Sequence, residues 1–264
     1  MAHSTEEPTD YADRLRLDGR HVLVLGGGLG IGHQTAAAAS ALGANVTVVD
    51  TDAERAKRVA DEVGGLALVG DATRRADVER VVSESVDRFG PLHGLADIIG
   101  ISTFASIEDS DDDVFDRGIA LNLRHVYLAV QIGARAMTDG GGSIALVGSI
   151  SGTRSAPKHA IYGAAKAAVS NLAASAAVEL GPQSIRVNVV APGQTYTPRI
   201  AERHPEAGYY DEASKLVPLG RVGMPDDIAS ALLFFLSPLS GWVTGQTLVV
   251  DGGTGSKYPY PMGQ

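Results

Sequence analysis

Tyr162 and Lys166 stand four residues apart in Tyr162-Gly-Ala-Ala-Lys166, and Ser149 lies thirteen positions before the tyrosine, just after an apolar run. If the stretch 160–180 is helical, residues at i and i+4 share one face, so the phenol and the ammonium project into the same site. A phenol with an ordinary pKa of about 10 exchanges protons poorly at neutral pH. A neighbouring cation favours the phenolate and lowers that value, and a tyrosine tuned in this way can act as an acid or base. The same spacing also occurs in ordinary pairs on surface helices, so its meaning rests on the elements around it.

A second group of residues points to a dinucleotide. Leu25-Gly26-Gly27-Gly28-Leu29-Gly30-Ile31-Gly32 follows a β-branched run and opens an alanine-rich stretch. A glycine turn between strand and helix lets the backbone approach a pyrophosphate and offer it helix N-terminal amides. Asp50 closes the next apolar run, twenty residues beyond Gly30. A carboxylate there accepts hydrogen bonds from the adenosine ribose hydroxyls and repels a 2′-phosphate. Leu29 and Thr51, the sequence neighbours from which a neutralising cation would come, are uncharged, so the pattern favours NAD over NADP. Asp71, followed by Ala72, either hydrogen-bonds an adenine edge or caps the next helix. Both readings stay open.

These residues need a scaffold, and the chain supplies a repeating one. Strand-like runs at 21–25, 45–50, 66–69, 94–98, 143–148, 185–190 and 247–250 alternate with helical stretches at 31–42, 52–63, 74–89, 112–138, 160–180 and 225–236. Such βαβ repetition predicts an α/β fold, a single doubly wound Rossmann-type domain with a seven-stranded, mainly parallel sheet flanked by helices on both faces. The ligand crevice of such a sheet lies at the carboxyl ends of its strands, where Gly100, Ser149 and Pro192 all fall. Residues 19–253 are expected to form this domain, between a flexible segment 1–18 and a tail 254–264. The polar insertion 198–217 is read as a lid-like loop beside the crevice.

Composition excludes other classes of function. With 44% hydrophobic and 20% charged residues the chain reads as globular rather than disordered. A net charge of -9 without basic runs argues against nucleic acid or an anionic membrane as the main partner. No run approaches the roughly 18 apolar residues of a membrane helix. The first twenty residues carry Glu6, Glu7, Asp10 and Asp13 and no apolar core, so a secretory leader is not expected and a cytoplasmic location is. The absence of cysteine rules out disulfides and thiolate metal sites, and the seven histidines show no ligand spacing, so no metal is expected.

Taken in order along the chain, these motifs resemble those of the short-chain dehydrogenase/reductase family over residues 17–253. Gly26, Gly30 and Gly32 match its Thr-Gly-x3-Gly-x-Gly loop, and Asn122 in Leu121-Asn122-Leu123 matches its helix asparagine. Ser149, Tyr162 and Lys166 match its catalytic serine and Tyr-x3-Lys. Pro192-Gly193 with Thr195 and Thr197 is similar to its Pro-Gly-x3-Thr segment, which lies beside the nicotinamide carboxamide. The stretches 221–229 and 244–253 look like its late signatures.

The resemblance implies interconversion of a secondary alcohol and a ketone with NAD. In these roles Tyr162 is the acid/base, Lys166 holds the nicotinamide ribose and lowers the tyrosine's pKa, Ser149 steadies the substrate oxygen, and Asn122 positions a water linking the lysine to solvent. Gly26, Gly30, Ile31, Gly32, Asp50, Asp71, Ala72, Gly100, Pro192, Gly193, Thr195 and Thr197 would hold the cofactor together with Tyr162 and Lys166. The substrate pocket is expected between 103–108, 150–157 and 194–216, with Ile150 and Tyr209 as contacts and His204 and Tyr210 nearby. A homotetramer built on the helices at 122–138 and 160–180 is also implied, with the tail 257–264 either crossing to a neighbour or disordered.

Two departures stand out: Leu25 replaces the usual threonine, and Asp97-Ile98-Ile99-Gly100 replaces Asn-Asn-Ala-Gly. Losing one partner of a buried polar link costs about 1–3 kcal/mol, whereas replacing both by apolar groups is nearly neutral, so Leu25 is expected to pack on Ile98 or Ile99. The competing readings are a catalytically idle dinucleotide sensor or scaffold, and an NADPH-dependent ketoreductase of the oxoacyl reductase type. Asp50 argues against the second and favours oxidation of the alcohol. Enoyl reductases space their tyrosine and lysine more widely, and epimerases and dehydratases usually carry a larger C-terminal region.

Overall fold

β-Branched runs favour extended backbone and the alanine-rich stretches between them favour helix. A computed structural model, which describes residues 9–102, 104–138 and 140–257, joins the runs into one sheet. The strands are β1 (His21–Leu25), β2 (Asn45–Asp50), β3 (Leu66–Val69), β4 (Gly94–Asp97), β5 (Gly142–Val147), β6 (Ile185–Pro192) and β7 (Thr247–Val250). Their order is β3-β2-β1-β4-β5-β6-β7, with every pairing parallel. The chain builds outward from β1 to β3 and then crosses back to lay β4 on the other side of β1. That reversal opens a crevice at the carboxyl ends of β1 and β4.

Helices α1 (Gly30–Ala41), α2 (Ala53–Val63) and α9 (Pro225–Leu236) cover one face, and α3 (Arg75–Phe89), α5 (His125–Arg135) and α6 (Ala160–Leu180) cover the other. Alternation along the strands feeds both layers. Leu23, Leu25, Leu95 and Leu146 join Val78, Val126 and Val169 in one core, while Val22, Val24, Ala96 and Ala145 join Ala36, Val59 and Ile228 in the other. All five residues of β1 are buried, as a central parallel strand requires.

Two regions differ from the sequence reading. The helix expected at 112–138 is divided into α4 (Asp112–Ile119), a single π-helical turn at Ala120–Arg124, and α5. Asp111 starts α4 by accepting the Val114 amide at 2.8 Å. The insertion 198–217 is not plain loop but two short helices, α7 (Pro198–Arg203) and α8 (Tyr209–Lys215). Thr197 caps the first by accepting the Ile200 amide, and Pro198 sits where its missing N–H costs nothing.

Candidate active site

β5 and α6 bring the proposed catalytic side chains together. Ser149 follows β5 in extended backbone, and its hydroxyl accepts the Ser151 amide at 3.1 Å, starting the short turn Ile150–Gly152. Tyr162 lies half-buried in the first turn of α6, with its phenol beside Ser149. Burial raises the phenol above its ordinary pKa, and the nearby Ser149 hydroxyl acts the other way. The expected lowering of the phenol by Lys166 is therefore not what dominates in the protein alone. The ammonium lies 6.0 Å from the centre of the Tyr162 ring. It donates to the Val147 carbonyl at 2.9 Å and the Ile99 carbonyl at 3.4 Å, so the end of β5 and the loop after β4 hold it. Burial pulls its pKa down to about 8, with Asp97 pulling it up.

Asn122 explains the π-turn. Fully buried, its amide nitrogen donates to the carbonyls of Gly118 at 2.9 Å and Ile101 at 3.0 Å, while its oxygen accepts the Ile101 amide at 3.0 Å. The side chain satisfies a helix carbonyl that the wider turn leaves free, and it pins the loop after β4 to the helix. Gly100 runs between the two polar groups. A Cβ there would come within 2.9 Å of Lys166 Nζ and 3.4 Å of Asn122 Oδ1, so a side chain at this position would push the lysine aside.

The glycine turn after β1 is a bare-backbone cradle. Gly26 and Gly30 have φ of 79° and 56°, the left-handed region, and a Cβ on Gly32 would lie 2.0 Å from the Gly26 carbonyl oxygen. Ile31 and Gly32 lie in the first turn of α1, where the Gly32 amide donates to the Leu29 carbonyl at 3.2 Å and the Ile31 amide precedes the helical ladder. Thr197 closes on this turn, 3.6 Å from where a Gly30 Cβ would sit, which brings the loop after β6 against the loop after β1. Pro192 ends β6 opposite Val250, Gly193 faces Asp251 where a Cβ would meet it at 2.6 Å, and buried Thr195 donates to the Gly193 carbonyl at 3.1 Å. Ile98 donates its backbone amide to the Leu25 carbonyl at 3.0 Å, Ile99 packs on the core cluster that includes Leu25, and Ile98 packs on the opposite core.

Asp50 accepts the Gly28 amide at 3.1 Å and the Asp52 amide at 3.0 Å. Sequence neighbours missed two cations. Arg58 donates to the Gly28 carbonyl at 3.0 Å, and the Cβ of Arg55 lies 2.8 Å from where a Gly28 Cβ would sit. Both come from the first turns of α2, whose three-residue spacing was the available signal. Asp71 accepts from Thr73 through its amide at 2.9 Å and its hydroxyl at 2.7 Å, so its carboxylate shapes the turn into α3 beside buried Ala72.

On the substrate side, half-buried Ile150 follows Ser149 directly. The Tyr209 hydroxyl accepts from Gln194 Nε2 at 2.9 Å and its ring stacks on His204 at 4.0 Å, while the buried Tyr210 hydroxyl has no partner. His159, three residues before Tyr162, was missed although that spacing places both on one helix face. Its ring lies edge-on to Tyr162 at 5.8 Å and to Phe104 at 4.5 Å, with Nε2 at 3.1 Å from Ser102 Oγ. Arg203 of α7 donates to the Ser102 carbonyl at 3.1 Å, so the insertion reaches the same rim. Thr103 and the tail 258–264 lie outside the described residues.

A family model described as enoyl-(acyl carrier protein) reductase matches residues 27–255. A 2-(S)-hydroxypropyl-CoM dehydrogenase of Xanthobacter autotrophicus is 34% identical, the match covering 90% of this chain and 97% of that one. The chain is a short-chain dehydrogenase/reductase. A galactitol 2-dehydrogenase (L-tagatose-forming) of Cereibacter sphaeroides is 33% identical over 92% of this chain and 98% of the relative. A solved short-chain dehydrogenase/reductase from Serratia marcescens superposes with a TM-score of 0.84 at 33% identity, covering 90% of this chain and 99% of that one.

For a short-chain dehydrogenase/reductase the expected cofactor is a nicotinamide dinucleotide, and the residues present fit one. The cradle of Gly26, Gly28 and Gly32 leaves backbone where side chains would collide, and the Asp50 carboxylate stands at its edge. No group of three or more metal-ligating side chains is found among the described residues, and no helix among them is long and apolar enough to cross a membrane.

Proposed function

We propose that this dehydrogenase interconverts a secondary alcohol and a ketone with NAD, Tyr162 serving as the general acid/base. The observation that carries this reading is the placing of Ser149 just after β5 and of Tyr162 and buried Lys166 one turn apart on α6, with the Lys166 ammonium on the Val147 carbonyl at 2.9 Å. When bound, the nicotinamide supplies the hydride acceptor or donor. The chain supplies the proton path. In oxidation Tyr162 takes the proton of the substrate hydroxyl, and Ser149 donates a hydrogen bond to the same oxygen, orienting it and steadying its developing charge. Lys166 would hold the nicotinamide ribose and favour the phenolate, and Asn122 would keep the loop after β4 in place and order a water behind the lysine.

Ile31, Asp71, Ala72, Gly100, Pro192, Gly193, Thr195 and Thr197 complete the proposed cofactor site around the glycine cradle. The acidic edge at Asp50 supports NAD over NADP, and the relatives' names support an alcohol substrate. The Tyr-x3-Lys spacing supports carbonyl rather than enoyl reduction. Residues 19–253 are proposed to work as one domain, with 198–217 as its lid and Ile150 and Tyr209 facing substrate.

A screen of secondary alcohols with NAD and, separately, NADP, followed by absorbance of the reduced nicotinamide, tests this directly. Tyr162→Phe is expected to lower kcat by about three orders of magnitude or more while NADH binding stays measurable by fluorescence. Turnover near wild type in that variant would remove Tyr162 from the mechanism. Absence of turnover in the wild type with intact NADH binding would favour a sensor or scaffold.

A further inference from the structure

Asp97 ends β4 in register with Leu25 of β1 and Leu146 of β5, a carboxylate set among leucines in the middle of the sheet. It is 1% exposed, and His125 at the start of α5 is 0% exposed. The Asp97 Oδ2 lies 2.8 Å from His125 Nδ1, and its Oδ1 accepts the Ile99 amide at 3.1 Å. The Ile99 carbonyl in turn receives the Lys166 ammonium at 3.4 Å. His125 Nε2 is buried without a partner, which fits the tautomer with Nδ1–H donating to Asp97 and Nε2 bare.

Burying a carboxylate is costly unless it is paired, and packing alone does not call for one here. An asparagine, usual at this position in the family, could accept the Ile99 amide equally well. What the carboxylate adds is charge. Among the described residues, the charged and titratable groups facing Lys166 are Asp97 from β4 and Tyr162 from its own helix, and His125 from α5 faces Asp97.

We propose that the buried Asp97–His125 pair positions Lys166. Asp97 keeps the lysine in its ammonium form and fixes the Ile99 carbonyl that receives it, while His125 orients the carboxylate. The electrostatics agree, since burial lowers the Lys166 pKa and Asp97 raises it. Neither member of the pair touches the reacting atoms. The proposal rests on reading Lys166 as part of the proton and cofactor site, and it can be tested apart from that reading.

The test is a pH titration of the Lys166 ¹³Cε resonance in labelled full-length protein without nucleotide or substrate. Asp97→Asn keeps the shape and the Ile99 contact, and it should lower the Lys166 midpoint by about one pH unit. His125→Asn, which leaves the carboxylate in place, should lower it less. In alcohol oxidation the alkaline limb of the kcat profile of Asp97→Asn should move to lower pH by a similar amount. An unchanged Lys166 midpoint in Asp97→Asn overturns the proposal whatever the turnover. A wild type without alcohol turnover whose Lys166 midpoint still falls in Asp97→Asn supports the pair and removes the proposed activity. Should Asp97→Asn fail to fold, the wild-type ¹³C-carboxyl signal of Asp97 decides. A carboxylate at neutral pH supports the proposal, and a neutral acid overturns it.

Discussion

Asp50 is a single carboxylate that braces the glycine turn and is proposed to select the cofactor. By accepting the Gly28 and Asp52 amides it braces the glycine turn, and in the proposed NAD site the same charge would repel a 2′-phosphate. Arg55 and Arg58, close to Gly28, do not cancel that charge entirely, because the Arg55 guanidinium is 3.3 Å from Asp52 and the Arg58 guanidinium is bound to the Gly28 carbonyl. They become available if the repulsion is removed. Asp50→Ser keeps a short acceptor for the Gly28 amide and loses the charge. The expected result is a fall in kcat/KM with NAD of about tenfold and a rise with NADP of about tenfold or more, roughly 1.4 kcal/mol in each direction. Steady-state kinetics with both cofactors checks this, and a variant that stays as selective for NAD as the wild type would move discrimination away from Asp50.

At the scale of elements, the π-turn between α4 and α5 links sheet to site. Asn122 holds three backbone groups through Ile101 and Gly118, and a regular helix would put this side chain out of register with the loop after β4. Asn122→Ala strands those groups in a buried position. Unfolding stability should fall by about 2–4 kcal/mol in urea titration and kcat should fall with it, whereas a loss of activity at full stability would mean the side chain serves chemistry alone. The turn also marks where the sequence stops being legible. Strands such as β1 and β2 and helices such as α6 follow from local composition and period, and they were readable to within a residue or two. Asn122 was readable as a motif. Its π geometry was not, because hydrogen bonds to Ile101, twenty-one residues away, decide it. The pairs Asp97–His125 and Ser102–His159 were hidden for the same reason, since their partners come from different elements 28 and 57 residues apart. Ser149, Tyr162 and Lys166 escaped that limit through a spacing set by one helix and the turn before it.

At the scale of the whole molecule, two apolar faces lack cover among the described residues of the single chain. One follows the seam of α5 and α6, where Leu123, Tyr127, Ala168 and Leu172 line a groove and Val178, further along the same face of α6, is 79% exposed. The other lies at the open edge of the sheet, where Leu248 and Val249 of β7 are 41% and 43% exposed and Trp242 is fully exposed. An edge strand with exposed apolar side chains invites pairing, and monomers rarely leave two such patches bare. If each face meets its own copy about a two-fold axis, the two axes together generate a closed tetramer. Leu172→Glu places a charge in the helix groove and Trp242→Glu does so at the sheet edge, on opposite parts of the molecule. Each single variant should sediment as a dimer, the double variant as a monomer, and the wild type as four chains. A wild type that sediments as a monomer at micromolar concentration would leave both faces to other partners, and a single variant that remains four chains would show that its face is not an interface.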